Sequence, residues 1–147
     1  YGQLDLRMRE DARVTVLERT NARAISPADL PFPPGLATVD VSFISLTKVL
    51  PAVAACLAPA GEVLAMVKPQ FELGRERVSK GVVRDPGERR EAILKVAHAA
   101  ADLGLAPRGV ASSGLPGPKG NHEAFVWCGG DGEPLADLEA TVREVDP

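Results

Sequence analysis

Short apolar runs alternate with amphipathic segments along most of the chain, a pattern typical of strands alternating with helices. Several of the apolar runs have no polar face, as expected for strands buried in a parallel sheet. The sequence therefore predicts an α/β fold with a mostly parallel sheet flanked by helices. The predicted strands cover residues 13–18, 36–43, 61–67, 105–112 and 124–128, and the predicted helices cover residues 45–57, 86–103 and 134–145.

The helix that begins at Pro86 has the clearest end signals. Asp85 precedes it as a candidate N-cap, and Glu88 three residues later completes a capping-box pattern. Gly104 is expected to end the helix, because glycine readily adopts the left-handed conformation found at helix C-termini. Pro51 is expected to bend the preceding helix or to delay its start.

Composition places the chain among ordinary globular domains. Its 147 residues are 45% hydrophobic and 25% charged, which excludes wholesale disorder and leaves room for a single domain. The longest apolar stretch, residues 49–60, is too short to cross a membrane, so we expect no membrane partner and a cytoplasmic location. Cys56 and Cys128 match neither a metal site nor a disulfide framework and are expected to be buried thiols.

Charge is unevenly distributed along the chain. The net charge of −3 excludes a domain that holds nucleic acid by overall basicity, but it allows a local basic patch. Residues 68–90 carry seven Lys or Arg against four Asp or Glu, whereas residues 131–147 carry six acids and one arginine. A solvated surface and a surface that contacts phosphates both fit the basic segment. Its candidate phosphate contacts are Arg75, Arg77, Lys80 and Arg84.

Three charged side chains stand at or near the ends of predicted strands: Asp40, Lys68 and Glu123. In an open α/β sheet, ligands bind beyond the carboxyl ends of the strands. Taken singly, the three residues have structural explanations: a buried ion pair, a lysine that reaches solvent, or a cap at a strand start. Taken together, an Asp–Lys pair with a second acid suits proton removal from a hydroxyl group. The carboxylates orient the amine, and a dry pocket favours its neutral form.

Other chemistries find less support in the sequence. His98 is expected to be an ordinary helix residue, and His122 has no partner at metal-ligand spacing, so we predict no metal site. The chain contains no Gly-x-Ser-x-Gly, Walker or G-x-G-x-x-G segment. The Gly/Pro-rich residues 113–122 are flexible enough to close over a site, although a plain connector between strands fits them as well.

Five short segments occur in a recognisable order. They are Glu-Arg-Thr-Asn-Ala-Arg at 18–23, Asp-Val-Ser-Phe-Ile-Ser-Leu at 40–46, Val-Lys-Pro-Gln-Phe-Glu at 67–72, Lys-Gly-Val-Val-Arg-Asp-Pro at 80–86 and Gly-Pro-Lys-Gly-Asn-His-Glu at 117–123. On these motifs the chain resembles the hemolysin A (TlyA) family of FtsJ-like ribosomal RNA methyltransferases. The likeness runs from Gly2 to about Trp127 and includes little of the acidic C-terminal helix.

The resemblance implies a Rossmann-like fold that binds S-adenosylmethionine and methylates a ribose 2′-hydroxyl of 16S and 23S ribosomal RNA. Such enzymes use a Lys-Asp-Lys-Glu tetrad, and by motif position Asp40, Lys68 and Glu123 match its last three members. The cofactor contacts that follow from the resemblance are Tyr1, Gly2, Gln3, Asn21 and Asp40. The RNA contacts predicted from the local basic charge are Arg75, Arg77, Lys80 and Arg84, together with Lys119.

The family's glycine-rich cofactor loop, first strand, first tetrad lysine and S4-type RNA-binding domain would all precede Tyr1. We therefore expect residues 1–147 to be the C-terminal portion of a methyltransferase domain within a longer protein that acts on ribosomal RNA or ribosomal subunits. The competing interpretation is a non-catalytic RNA- or ribosome-binding module that keeps the methyltransferase fold. The strand-end lysine beside two acids favours the enzyme, because a module that only binds has no need of this combination.

Overall fold

The computed structural model describes residues 4–146, which form a four-stranded mixed sheet with helices packed against it. The strands lie in the order β1-β2-β4-β3. Their bounds are Leu36–Val39 for β1, Glu62–Val67 for β2, Pro107–Pro116 for β3 and His122–Gly129 for β4. Strands β1 and β2 are parallel, while β4 runs antiparallel to both β2 and β3.

Five α-helices and four short 3₁₀ helices connect and cover the strands within residues 4–146. The α-helices are α1 (Leu6–Arg9), α2 (Leu50–Cys56), α3 (Pro69–Glu72), α4 (Pro86–Asp102) and α5 (Leu138–Val145), and the 3₁₀ helices cover Pro27–Asp29, Leu46–Lys48, Arg75–Arg77 and Pro118–Gly120. No helix in this part of the chain is both long and apolar enough to span a lipid bilayer.

The core lies between the sheet and α4. One face of β2 contributes Val63, Ala65 and Val67, which are almost fully buried. Helix α4 packs its own apolar face against the sheet through residues that include Ile93 and Val96. Small and branched aliphatic side chains dominate this interface, in keeping with the low aromatic content of 4%.

The structure confirms most of the end signals predicted for helix α4. The Asp85 side chain accepts a hydrogen bond from the backbone N–H of Glu88 at 2.8 Å, and Gly104 follows the last turn with a φ of +81°. The Glu88 carboxylate does not complete the capping box, because it binds Arg77 instead. The predicted helix at 45–57 also divides as Pro51 indicated: a 3₁₀ turn precedes α2, and Pro51 stands in the first turn of α2.

The strand predicted at residues 13–18 is wrong. Asp11 closes a local turn there, since its side chain accepts a hydrogen bond from Arg13 N at 2.9 Å and its carbonyl accepts one from Val14 N at 2.9 Å. An Asp directly before an apolar run thus offers the backbone an alternative to strand pairing. The β1 strand is also shorter than predicted, because it ends at Val39 rather than at residue 43.

The expectation of a mostly parallel sheet is corrected to a mixed sheet within residues 4–146. Strands β1, β2 and β3 follow one another through crossovers that contain helices, and all three point the same way. Strand β4 is inserted between β2 and β3 and runs antiparallel to both, so among the hydrogen-bonded pairs of residues 4–146 only β1–β2 is parallel. The predicted long loop at 113–122 shortens to residues 117–121, because β3 continues to Pro116, where it pairs with His122. A connection this short makes β3 and β4 an antiparallel hairpin.

Candidate active site

Lys68 and Asp40 form an ion pair at the carboxyl ends of the two parallel strands. Lys68 directly follows β2, and Asp40 directly follows β1. The Lys68 Nζ atom lies 2.6 Å from Asp40 Oδ1 and donates a second hydrogen bond, of 3.2 Å, to Ser42 Oγ. The Lys68 side chain is 13% exposed and that of Asp40 is 65% exposed. The pair is therefore enclosed around the amine and open to solvent at the carboxylate.

Glu123 lies at the same end of the sheet, near the start of β4, which runs antiparallel to β2. Val67 pairs with Ala124 in the antiparallel β2–β4 register, so Lys68 and Glu123 stand at the next opposed positions. Glu123 is 9% exposed, and its Oε1 atom is buried without a hydrogen-bond partner among the described residues. A buried carboxylate oxygen without a donor is costly, which makes it a candidate acceptor for a bound ligand.

Gly117 gives the Glu123 carboxylate its space. A Cβ atom at position 117 would lie 2.4 Å from Glu123 Oε1, closer than two non-bonded heavy atoms can approach. The short connection between β3 and β4 therefore holds a backbone without a side chain against this carboxylate. Sequence analysis singled out the glycine-rich loop but gave Gly117 no role of its own.

A cavity of about 430 Å³ opens beside these groups. Its volume falls within the range of ordinary small-molecule pockets, about 300–1,000 Å³. Most of the lining residues carry polar or charged side chains, and Phe43, Phe71 and Val78 add apolar surface. The residues that line it are Ser42, Phe43, Lys68, Gln70, Phe71, Val78, Gly81, Lys119, Asn121 and Glu123. An enclosed amine, a buried carboxylate and aromatic surface thus meet in one cavity, which suits proton transfer on a ligand that carries a planar ring.

Two phenylalanines at this cavity were missed by the sequence analysis. Phe43 is 91% exposed and adopts a φ of +62°, a conformation that is unfavourable for a bulky residue. Its ring centroid lies 5.1 Å from that of Phe71, with the ring planes inclined by 48°. The available signal was position: Phe43 follows Asp40 by three residues and Phe71 follows Lys68 by three.

Asn121 joins the hairpin to the segment that precedes α4. It is 2% exposed, its Oδ1 accepts from Val83 N at 3.1 Å, and its Nδ2 donates to the Gly81 carbonyl at 2.9 Å. The carbonyl of Asn121 also accepts from Gly117 N at 2.8 Å. The residues just before Glu123 are thereby held against the basic segment.

The predicted RNA contacts have different surroundings. Lys80, Arg84 and Lys119 are exposed, and Lys119 Nζ donates to the Lys80 carbonyl at 3.2 Å. The Arg77 guanidinium is engaged by two carboxylates, at 3.2 Å from Glu88 and 2.6 Å from Glu91, which raises the pKa of Arg77. The side chain of Arg75 lies outside the part of the chain that the structure describes.

Of the predicted cofactor contacts, only Asn21 and Asp40 fall within residues 4–146. Asn21 is exposed in an irregular segment, where its Oδ1 accepts from Arg23 N at 3.1 Å. Tyr1, Gly2 and Gln3 lie outside the described residues.

His98, His122, Cys56 and Cys128 are not among the described residues that line the cavity. His98 is exposed on α4, and His122 Nδ1 lies 3.9 Å from Asp146 Oδ1. Both thiols are buried, as predicted. Burial raises the pKa of the Cys128 thiol to about 11, and burial, followed by the charge of Asp29, raises that of Cys56.

Comparison with known proteins gives consistent matches. A family model described as FtsJ-like methyltransferase matches residues 1–130. The chain is 48% identical over 128 residues to the 16S/23S rRNA (cytidine-2'-O)-methyltransferase TlyA of Mycobacterium tuberculosis, a match that covers 86% of this chain and 48% of that protein. It is 40% identical over 147 residues to YqxC of Bacillus subtilis, covering 99% of this chain and 52% of that protein.

A solved structure gives the same picture. The protein, from Streptococcus thermophilus and named as a hemolysin, superposes with a TM-score of 0.91 at 37% identity and covers 99% of this chain. The match accounts for 53% of that protein. The chain therefore spans about half the length of these three relatives.

Proposed function

Because this chain belongs to the FtsJ-like methyltransferase family, we propose that its protein methylates ribose 2′-hydroxyl groups of ribosomal RNA with S-adenosylmethionine as the methyl donor. The observation that carries the proposal is the enclosed Lys68 amine, 2.6 Å from Asp40 and on the wall of the cavity that Glu123 also lines. The name of the relative TlyA, a cytidine-2'-O-methyltransferase of 16S and 23S rRNA, supports these RNAs as the substrates. The proposed place of action is accordingly the cytoplasm, on ribosomal RNA or ribosomal subunits.

We also propose that this chain is the C-terminal portion of a methyltransferase domain. Its match to about half the length of its relatives supports this division. The glycine-rich cofactor loop, the first tetrad lysine and an S4-type RNA-binding domain would then belong to the preceding part of the protein. The complete site would combine those groups with Asp40, Lys68 and Glu123.

The side chains present fit a positively charged cofactor. The Asp40 carboxylate is exposed at the open side of its ion pair, and Gln70 Oε1 in the cavity is a buried acceptor oxygen without a donor among the described residues. When bound, S-adenosylmethionine supplies an electrophilic methyl group. We propose that Asp40 and Asn21, with Tyr1, Gly2 and Gln3, hold it.

In the proposed mechanism, Lys68 first gives the proton of its ion pair to solvent. The amine then accepts the proton of the ribose 2′-hydroxyl while the hydroxyl oxygen forms its bond to the methyl carbon and the methyl–sulfur bond of the donor breaks, which leaves a neutral thioether. The resulting ammonium is stabilised by Asp40, which also keeps the amine aimed at the hydroxyl. Glu123 accepts a hydrogen bond from the substrate at its free Oε1 atom. The proton then leaves Lys68 to solvent at the open side of the pair. Correct orientation of the reacting atoms supplies much of the rate.

The exposed ring of Phe43 is proposed to hold the base of the target nucleotide. Single nucleotides are commonly bound by stacking on aromatic side chains, a contact worth about 1–3 kcal/mol per base. Phe71 supports the ring of Phe43 from the protein side at a centroid distance of 5.1 Å. The base would then stack close to the amine that receives the proton.

Exposed cations near the cavity are proposed to contact RNA phosphates. Lys80, Arg84 and Lys119 can neutralise phosphates without reading sequence. Arg75 and Arg77 belong to the same proposal, although Arg77 already binds Glu88 and Glu91 and so has less capacity for a new partner.

Replacement of Lys68 tests the proposed function. In the intact protein, Lys68→Ala is expected to abolish methyl transfer to ribosomal RNA while RNA and cofactor affinities change less than about tenfold, or ~1.4 kcal/mol. Lys68→Arg is expected to be inactive too, because a guanidinium stays protonated and cannot accept the proton. Transfer of radiolabelled methyl groups to purified ribosomal subunits measures the activity.

Lys48→Ala is the matched control, since Lys48 is an exposed lysine outside the cavity lining. It is expected to keep wild-type turnover. Methylation by Lys68→Arg at close to the wild-type rate would remove the role of proton acceptor from Lys68. Tight RNA binding by an intact protein that transfers no methyl group would instead support the competing function, a binding module that keeps the fold.

A further inference from the structure

Glu72 is a buried carboxylate that bridges two segments of the active site. It is 4% exposed at the end of α3. Its Oε2 atom accepts a hydrogen bond from Ser45 Oγ at 2.5 Å, and its Oε1 atom accepts one from Leu46 N at 2.8 Å. Each carboxylate oxygen thus has a donor, which offsets the cost of burying the charge.

The two segments that Glu72 joins are those that carry the Lys68–Asp40 pair. Ser45 ends the loop that starts at Asp40, and Glu72 ends the helix whose N-cap is Lys68. Helix α3 is itself anchored, because Lys95 Nζ on α4 donates to the Glu72 carbonyl at 2.5 Å. Glu72 therefore links the loop after β1 to helix α3, which begins directly after Lys68.

This loop needs such an anchor because its backbone is strained. Phe43 has a φ of +62° and a side chain that is 91% exposed, so packing contributes little to holding it there. A non-glycine residue in the left-handed region costs about 1–3 kcal/mol and persists only where surrounding contacts enforce it. The strand holds the loop at Asp40, and the hydrogen bonds to Glu72 hold its other end.

We propose that Glu72 is a positioning residue that sets the geometry of the Lys68–Asp40 pair, an inference that rests on the proposed function. Loss of its hydrogen bonds lets the loop relax, and Asp40 then no longer holds the Lys68 amine in line with the substrate hydroxyl. Glu72 touches neither reacting group, so its loss lowers turnover more than substrate affinity.

Kinetics of the intact protein test this role with Glu72→Gln and Ser45→Ala. The glutamine keeps one acceptor oxygen but cannot accept from both donors, so kcat is expected to fall about tenfold while KM for RNA stays within about threefold. Ser45→Ala removes one of the two hydrogen bonds and is expected to lower kcat less. Glu62→Gln is the matched control. It breaks the 3.0 Å ion pair with Arg108 at the start of β2 and is expected to leave kcat unchanged.

A second measurement does not depend on activity. Acylation of Lys68 by limiting acetic anhydride, read by mass spectrometry, is expected to be at least about threefold faster in Glu72→Gln, because an amine that leaves its ion pair becomes more accessible. The Glu62→Gln control should react at the wild-type rate. In an Asp40→Asn background, Glu72→Gln should add little, because the contact it preserves is already lost.

Wild-type kcat in Glu72→Gln, or Lys68 acylation at the wild-type rate, would overturn the positioning role. If Glu72→Gln fails to fold, the same two readouts on Ser45→Ala decide, and wild-type values there would overturn it as well. A wild-type protein that transfers no methyl group contradicts the proposed function instead, and the acylation rates then decide the positioning role separately.

Discussion

Cys128 shows how far burial alone determines the chemistry of a residue. It lies on the core face of β4, opposite Val63 of β2, and is 2% exposed. Burial raises the pKa of its thiol to about 11, because the thiolate would lose its hydration. Between pH 9 and pH 11 the unfolded chain thus loses a proton that the folded chain keeps. Stability is therefore unaffected below pH 8 and falls as the pH rises through this range.

The free energy of unfolding of the protein, measured with urea at pH 8 and pH 10, checks this dependence. The wild type is expected to lose about 1 kcal/mol more than Cys128→Ala over this interval. Comparison of the two proteins cancels the titration of lysines and tyrosine, which both contain. Equal losses in wild type and variant would show that Cys128 ionises normally when folded.

A site residue could be predicted from the sequence where its immediate neighbours in the chain reveal its position. Asp40 and Lys68 stood out because each follows an apolar strand, and the structure places them in contact. Glu72 and Phe43 did not stand out, because their roles depend on partners far away in the chain. Glu72 meets Ser45 across 27 positions, a contact that no local pattern indicates.

At the scale of elements, the hairpin of β3 and β4 determines where the Glu123 carboxylate lies. Gly117→Ala is expected to push this carboxylate aside, since the new Cβ atom would lie 2.4 Å from Glu123 Oε1. The clash is with the end of a flexible side chain, so the fold can adjust. Turnover in the intact protein is therefore expected to fall about tenfold or more, with a melting temperature within a few degrees of wild type.

Gly35→Ala is the control for this substitution, because a Cβ atom at position 35 meets nothing within 4 Å. It is expected to keep wild-type turnover. A large drop in melting temperature with Gly117→Ala, in proportion to the loss of turnover, would mean that Gly117 serves the hairpin and not the carboxylate.

Element boundaries could be predicted where a side chain binds the backbone of its own element. Asp85 caps α4 and Gly104 follows it, and both signals were readable because capping is local. The prediction of a strand at 13–18 was wrong because of another local interaction. The Asp11 side chain accepts a hydrogen bond from Arg13 N and closes a turn, which the alternation of apolar and polar residues does not reveal. The direction of β4 relative to β2 was not readable, since it depends on how short the connection after β3 is.

At the scale of the whole molecule, the α/β methyltransferase fold is confirmed, and positive and negative charges occupy different regions of it. Positive charge is concentrated near the candidate active site, and negative charge is concentrated near the C-terminal end. A net charge of −3 disfavours RNA at long range, so the proposed RNA contacts depend on local positive charge. The basic segment of residues 68–90 lies next to the cavity, because Lys68, Val78 and Gly81 of this segment are part of the lining. The acidic residues gather in the segment that ends in α5.

This separation leads to a prediction on the salt dependence of RNA binding by the intact protein. Each phosphate contact contributes about 0.7 to the slope of log affinity against log salt for single-stranded RNA. The double variant Lys80→Ala/Arg84→Ala is therefore expected to weaken binding and to reduce that slope by about 1.4. Replacement of Arg77 should change the slope less, because its guanidinium already binds Glu88 and Glu91. Arg13→Ala/Arg143→Ala, which removes the same charge outside this segment, should leave the slope unchanged. Filter binding to ribosomal RNA at graded salt measures all three, and equal slopes in wild type and Lys80→Ala/Arg84→Ala would make the basic segment a solvated surface.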